Sequence, residues 1–264
     1  MPTLDVPGAV LRYQLRGTGP VLLISQSGEG DADRSTDLVD QLADSYSVLT
    51  YDRRGLSGSR LQRPATMADH ADDVHRLLAA LTDEPVLMLG CSLGAVIGMH
   101  VVLRHAGQIG TLVAHEPIAP RLLPAADRSR HHDELIALQD LYLREGLAAT
   151  IPVIARTLGI DTSDTEPGLT RFPMDAGRIA NFDYFIRHDF TAAVQDDLDF
   201  AELKNVSARI VPAAGRTTPR TVFDYRCAET LAELVGQELV EFPGGHNGNL
   251  SHPRAYAARL RDVL

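Results

Sequence analysis

Apolar and polar positions along the chain predict strands and helices in alternation. Residues 10–15 alternate in the manner of a strand and run into the turn cluster Arg16-Gly17-Thr18-Gly19-Pro20. Residues 21–24, VLLI, form a short continuous apolar run, as expected of a strand covered on both faces. Leu38, Val39 and Leu42 fall at helical spacing within 33–43, and residues 47–51 predict another strand, ending at Asp52-Arg53-Arg54-Gly55. A sharper unit follows. Val74, Leu77, Leu78 and Leu81 share one face of a helix predicted over 68–81. Residues 85–89 read as an apolar strand running into Gly90-Cys91-Ser92-Leu93-Gly94, residues 95–105 as a helix, and 109–114 as a strand closed by His115-Glu116-Pro117. Strand and helix in that repeated order imply parallel pairing with right-handed crossovers.

From 118 to 198 the pattern changes. Helical segments such as 132–143 are broken by Pro124, Pro152, Pro167 and Pro173, and no strand pattern interrupts them. The strand–helix rhythm resumes with 208–213, 223–235 and 238–242, and a last helix begins near Pro253. The expected architecture is therefore α/β, a mostly parallel central sheet flanked by helices. Residues 1–117 and 199–264 form the core and 118–198 a helical lid. A chain of 264 residues suits a single domain of this class.

Composition narrows the partners. A formal charge of -10 argues against nucleic acid, whose binding rests largely on Lys and Arg neutralising phosphates. The two cysteines, Cys91 and Cys227, form no CxxC pair, so neither a metal framework nor a disulfide scaffold is expected. The N-terminus lacks a basic cluster followed by an apolar run, and no stretch approaches the roughly 18 apolar residues of a membrane span. A cytoplasmic protein without membrane, metal or cofactor is the expectation, and a homodimer is compatible with it.

The chemistry centres on Gly90-Cys91-Ser92-Leu93-Gly94, a G-x-S-x-G motif between an apolar strand and a helix. In that context a strained turn exposes the serine Oγ above the sheet, and close neighbours require glycine on either side. The next helix aims its N-terminal N–H groups at developing negative charge. Cys91, at a wildcard position, should point away from the cleft. His246, in Phe242-Pro243-Gly244-Gly245-His246-Asn247, follows the last predicted strand and could serve Ser92 as base. His70, His75, His105, His131 and His132 sit on helical patterns instead, and adjacent helical histidines do not face one ion.

The acid is less obvious. The turn Ala214-Gly215-Arg216-Thr217-Thr218-Pro219 holds no carboxylate, and the nearest, Asp224, lies inside the next helix. Glu116 ends the strand that follows the Ser92 elbow, where a buried acid could orient the imidazole. The alternative for Glu116 is pairing with Arg121. Two backbone donors for an oxyanion are expected from Leu93 and from the loop after 21–24, at Ser27 with Gly28 next. Gln26 of that loop, Ile118, the lid residues Phe182, Phe185 and Phe190, and Phe223 are the expected substrate contacts, with Tyr184 and His188 as polar candidates.

The elbow GCSLGA, the strand end AHEP, the turn AAGRTTPRTVFD and the tail FPGGHNGNLSHPRAYAARL together resemble the zearalenone hydrolases, lactonases of the α/β-hydrolase fold. The likeness runs through roughly residues 10–116 and 205–260. It implies Ser92, Glu116 and His246 as triad, with donors at Ser27 and Leu93. Two features depart from it. The chain has no Trp, so Phe185 of the similar stretch Asn181-Phe182-Asp183-Tyr184-Phe185-Ile186-Arg187 stands where that family packs a tryptophan on its substrate. Gln26 stands where the family has an aspartate. The expected activity is cleavage of a small apolar ester or lactone. Perhydrolysis or acyl transfer at the same serine, and a non-catalytic ligand-binding protein on the same scaffold, are the alternatives.

Overall fold

A computed structural model describes residues 2–61 and 63–264. The strands are β1 (Thr3–Val6), β2 (Ala9–Arg16), β3 (Val21–Ser25), β4 (Ser47–Tyr51), β5 (Arg60–Leu61), β6 (Val86–Cys91), β7 (Ile109–His115), β8 (Arg209–Gly215) and β9 (Val240–Phe242). The helices are α1 (Thr36–Leu42), α2 (Met67–Ala79), α3 (Leu93–Arg104), α4 (Ala125–Glu145), α5 (Leu147–Thr157), α6 (Ala176–Tyr184), α7 (Phe190–Val194), α8 (Phe223–Val235), α9 (Gly248–Ser251) and α10 (Pro253–Val263). Among the described residues they build one nine-stranded sheet in the order β1-β2-β4-β3-β6-β7-β8-β9, with β5 paired to β2. From β4 to β9 every neighbouring pair is parallel; the antiparallel pairs are β1–β2, β2–β5 and β2–β4, so β2 runs against the other strands. The chain leaves β3 for β4 and then crosses back to β6, so the strand order reverses beside β3 and β6. The C-terminal ends of such strands flank a crevice.

Side-chain alternation sorts the strand residues onto two cores. Leu23, Leu49, Met88, Leu112 and Ile210 face α2, α3 and α8. Leu22, Ile24, Leu89, Val113 and Val211 face α1 and α10. Both faces are covered, which is why these strands read as unbroken apolar runs. The expected elements at 21–24, 47–51, 109–114, 223–235 and after Pro253 are present with boundaries within a residue or so.

Differences have local causes. Helix α2 begins at Met67, because the Thr66 hydroxyl accepts from Asp69 N at 3.1 Å while Asp69 returns a bond to Thr66 N at 2.9 Å. That reciprocal cap satisfies two end groups of the helix. Pro152 does not break the chain but sits inside α5 at an exposed position, where its ring lies outside the packed face. Among the described residues between β7 and β8 there is no strand, but α4 to α7, 3-10 turns at Pro120–Leu122 and Phe200–Asn205, and a π-helical turn at Phe185–Asp189. No helix among the described residues is long and apolar enough to cross a membrane.

Leu112 at the centre of β7 is wholly buried and fills the space over Gly98 of α3, where an added Cβ would come within 2.6 Å of its Cδ1. Leu112→Ala should therefore cost about 2–5 kcal/mol. Urea unfolding should show a lower midpoint with an unchanged slope.

Candidate active site

Strand β6 passes into α3 through a single residue, Ser92, with φ 56° and ψ −115°. An L-residue reaches that region only where its surroundings hold it there. Here Ser92 N donates to His115 O at 2.8 Å, and Ser92 O accepts from Ala95 N at 3.1 Å. The flanking glycines are dictated by contact. A Cβ on Gly90 would lie 2.6 Å from Gly94 O, and one on Gly94 would lie 2.0 Å from Ser25 O at the end of β3. Leu93 is the first residue of α3, so its N–H has no intrahelical acceptor.

His246 reaches the same edge from the loop after β9. Gly244 takes φ 75°, Thr217 N donates to Gly244 O at 3.1 Å, and Gly248 N to Gly245 O at 2.8 Å. The loop lies so close to β8 that a Cβ on Gly215 would be 2.4 Å from the Gly245 carbonyl carbon. Ser92 and His246 line one cavity of about 390 Å³ together with Ser27 and Gly28. Its far wall is mostly apolar and comes from the helical segment 118–198, with Phe182, Phe185 and Phe190 among its residues and Ile118 at the segment's start, although Arg178 and Asp161 also reach it. His246 Nε2 is buried and has no partner among the described residues, and no hydrogen bond joins it to Ser92. Such bonds commonly tighten only once substrate is bound.

Glu116 and Asp224 both lie at the other ring nitrogen. Glu116 caps β7 at φ 42°, its N donating to Ala213 O at 2.9 Å. Its Oε1 accepts from Gly215 N at 2.7 Å, and its Oε2 accepts from His246 Nδ1 at 2.8 Å. It does not pair with Arg121. Asp224, from the first turn of α8, places Oδ2 2.6 Å from the same Nδ1. Its place inside a helix gives no hint of this position, which the first turn of α8 reaches by packing over the His246 loop. All three groups are essentially without solvent exposure.

Two carboxylates cannot both be ionised cheaply in so small a volume. Burial, and then the adjacent Glu116 charge, push Asp224 up to about 7 despite His246. Burial also acts against Glu116, but the His246 hydrogen bond, nearby imidazole charge and the Gly215 N–H outweigh it and hold Glu116 down at about 2. His246 is raised above an ordinary imidazole, because the two acids overcome its burial. Glu116 is thus the ionised partner and Asp224 the one that keeps a proton toward neutrality. The ligand atoms of Glu116, Asp224 and His246 all lie within 4.8 Å of one another, close enough for a metal ion. The proton that Nδ1 donates to Glu116 occupies the lone pair such an ion would need.

Two expected substrate contacts lie elsewhere. Phe223 is buried beneath α4, stacked on His131 with ring centroids 5.0 Å apart. Consecutive helical residues point about 100° apart, so turning Asp224 toward His246 turns Phe223 into the core. Gln26 lies behind the cavity wall, its Oε1 accepting from Asn249 Nδ2 at 3.2 Å. Tyr184 packs over Gly55 and against His188, and neither residue of that pair lines the cavity. Cys91 faces the core side of β6, and burial pushes its thiol up to about 12.

Residues 20–198 match the family model described as the alpha/beta hydrolase fold. The chain belongs to that family. It is 36% identical over 269 residues to an uncharacterized hydrolase, YraK, of Bacillus subtilis, covering 99% of this chain and 95% of the relative. A crystal structure of a hydrolase from Pseudomonas aeruginosa PA01 superposes with TM-score 0.74 at 26% identity, covering 99% of this chain and 97% of that one. The enol-lactonase of Burkholderia xenovorans LB400 shares the fold, with TM-score 0.74 at 20% identity over 99% of this chain and 98% of its own. The mostly parallel α/β architecture that the strand–helix rhythm predicts is therefore present, and it is that of the alpha/beta hydrolase fold.

The paired acids make a prediction that needs no substrate. In an NMR titration the His246 ring should release its proton above the ordinary value of about 6.5. Asp224→Asn removes one of the two acids and should lower that midpoint, and adding Glu116→Gln should lower it further. An Asp224→Asn midpoint equal to that of the parent would remove Asp224 from the electrostatics of the imidazole.

Proposed function

We propose that this member of the family is a serine hydrolase of carboxylic esters, lactones included, with Ser92 as nucleophile, His246 as base and Glu116 as the orienting acid. The observation that carries the reading is the convergence at one cavity of a strained serine with a buried imidazole whose far nitrogen is tied to a carboxylate. In this reading the ring, once Nε2 has released its own proton, takes the Ser92 proton there while Oγ attacks the carbonyl carbon. The Leu93 N–H and that of Ser27, with Gly28 beside it, receive the negative charge on the carbonyl oxygen. His246 then protonates the leaving alkoxide, and the same imidazole activates the water that releases the acid. In a lactone the alcohol stays attached and the product is a hydroxy acid.

The lid wall favours an apolar substrate, since Ile118, Phe182 and Phe185 offer it little else to contact. The neighbouring enol-lactonase fold and the resemblance of the elbow, strand end and tail to the zearalenone hydrolases make lactones the first class to test. A resorcylic macrolactone would rest on Phe185 in place of tryptophan.

Ser92→Ala should lower hydrolysis of p-nitrophenyl esters by at least about 10³-fold and leave the circular dichroism spectrum unchanged. The parent protein should be labelled by a fluorophosphonate and the variant should not. Glu116→Gln should reduce kcat by about 10²-fold or more, less than the loss at Ser92 because Asp224 remains at Nδ1. Undiminished turnover in Ser92→Ala would falsify the assignment. A panel of aryl esters, simple lactones and resorcylic macrolactones, compared by kcat/KM, identifies the substrate class.

A further inference from the structure

Arg53 is among the largest wholly buried side chains of the protein and has no part in the proposed chemical steps. It lies two residues past β4, and it holds the loop that follows β3 from two directions. Its backbone N donates to Gly30 O at 2.9 Å. Its guanidinium donates from Nη1 to Ser27 O at 3.0 Å and Gln26 O at 3.3 Å, and from Nη2 to Gly28 O at 2.8 Å. Three successive carbonyls therefore point at one cation.

The peptide units here are trans, since the chain contains no cis bond among the described residues. In a planar trans peptide the C=O of one residue and the N–H of the next point in opposite directions. Fixing the Gln26 carbonyl on Arg53 turns the Ser27 N–H away from it, and fixing the Ser27 carbonyl does the same for the Gly28 N–H. Both residues line the cavity that Ser92 lines, and neither N–H donates to another described residue.

The charge that makes this clamp tolerable comes from the lid. Asp189, the last residue of the π-helical turn, accepts on Oδ2 from Arg53 Nε at 3.0 Å and from Nη2 at 2.7 Å. Its Oδ1 lies 3.4 Å from His70 Nε2 of α2. The exposures of the Arg53 and Asp189 side chains are 2% and 1%. Phe185, at the other end of the same turn, presses on the loop so closely that a Cβ on Gly28 would lie 2.4 Å from its ring. Extra-residue turns of this kind re-aim side chains, often where function requires it.

We propose that Arg53 is a positioning residue that presets the Ser27 and Gly28 N–H groups as oxyanion donors, and that it does so only while the lid holds Asp189 on it. Lid docking and a formed oxyanion hole are then one event. The inference rests on the hydrolase reading above for its kinetic consequence, but the clamp itself is a structural claim.

The decisive variant is Arg53→Met combined with Asp189→Leu, which removes both buried charges together. Replacing a buried pair by apolar residues of similar size is commonly tolerated, whereas removing one partner strands the other. The melting temperature should stay within a few degrees of the parent. With p-nitrophenyl acetate, a substrate too small to need the lid wall, kcat should fall about 10- to 100-fold while KM changes by less than about threefold. The acidic limb of the pH profile should not move, because His246 and Glu116 are untouched. Hydrogen exchange at residues 26–30 should speed up. Arg53→Lys, which keeps the charge but cannot span three carbonyls and Asp189, should show the same kcat loss and faster exchange, and it serves if the double variant does not fold. Parental kcat together with parental exchange at 26–30 overturns the proposal. If the parent shows no Ser92-dependent turnover, the hydrolase reading falls, and the exchange rates alone then support or overturn the clamp.

Discussion

There is no room for a methyl group between the β6–α3 turn and the end of β3. A Cβ on Gly94 would sit 2.0 Å from Ser25 O, so the two segments meet backbone to backbone. That approach places the Ser25–Gly30 loop beside Ser92, which takes φ 56° in the turn. The second such contact, Gly215 against Gly245, brings the His246 loop onto the end of β8. Parallel strands deliver all their C-terminal ends to one edge, and these glycine contacts decide which loops touch there. The spacing of Ser92, His246 and the Ser25–Gly30 loop follows from them.

Paired charges are buried along the same edge. The Glu116–His246–Asp224 group lies on one side of the cavity, Arg53–Asp189 lies behind the opposite loop, and Arg54 pairs with Asp73 of α2 with Nε 2.5 Å from Oδ2. Buried pairs add little net stability over apolar packing, but each penalises arrangements that leave one partner alone. Here they join segments far apart in sequence, Arg53 to Asp189 across 136 positions and Glu116 to His246 across 130. Their common consequence is registration of the helical segment 118–198 and the late loops against the sheet.

Much of the site was legible along the chain, for reasons particular to each residue. Ser92 could be read because a strand, a tight turn and a helix must meet within five residues, which leaves a mark in glycine spacing. His246 could be read from its place after the last strand, and Glu116 from its place at the end of β7. Asp224 is not legible in this way, because its position within a helix pattern does not tell which neighbour its first turn meets; the packing of α8 against the His246 loop decides that. Phe223 was misplaced for the complementary reason, since turning one of two adjacent helical residues to the site turns the other to the core. Gln26 was expected at the cavity from its neighbours in sequence, yet its side chain goes behind the wall to Asn249. Arg53 carried no signal at all, because a clamp on three carbonyls has no spacing rule.

Local patterning alone determined the alternation of strands and helices, the two-faced burial of the central strands, the helical character of 118–198 and the strained turn at Ser92. Each of these is encoded in residues within a few positions of one another, through periodicity and steric need. The tertiary structure decided which carboxylates share the His246 nitrogen, which lid side chains wall the cavity and what fixes the carbonyls of the Ser25–Gly30 loop. Those outcomes depend on contacts between segments from about twenty to more than a hundred residues apart, and the energies that select them arise only when the segments are packed and dry.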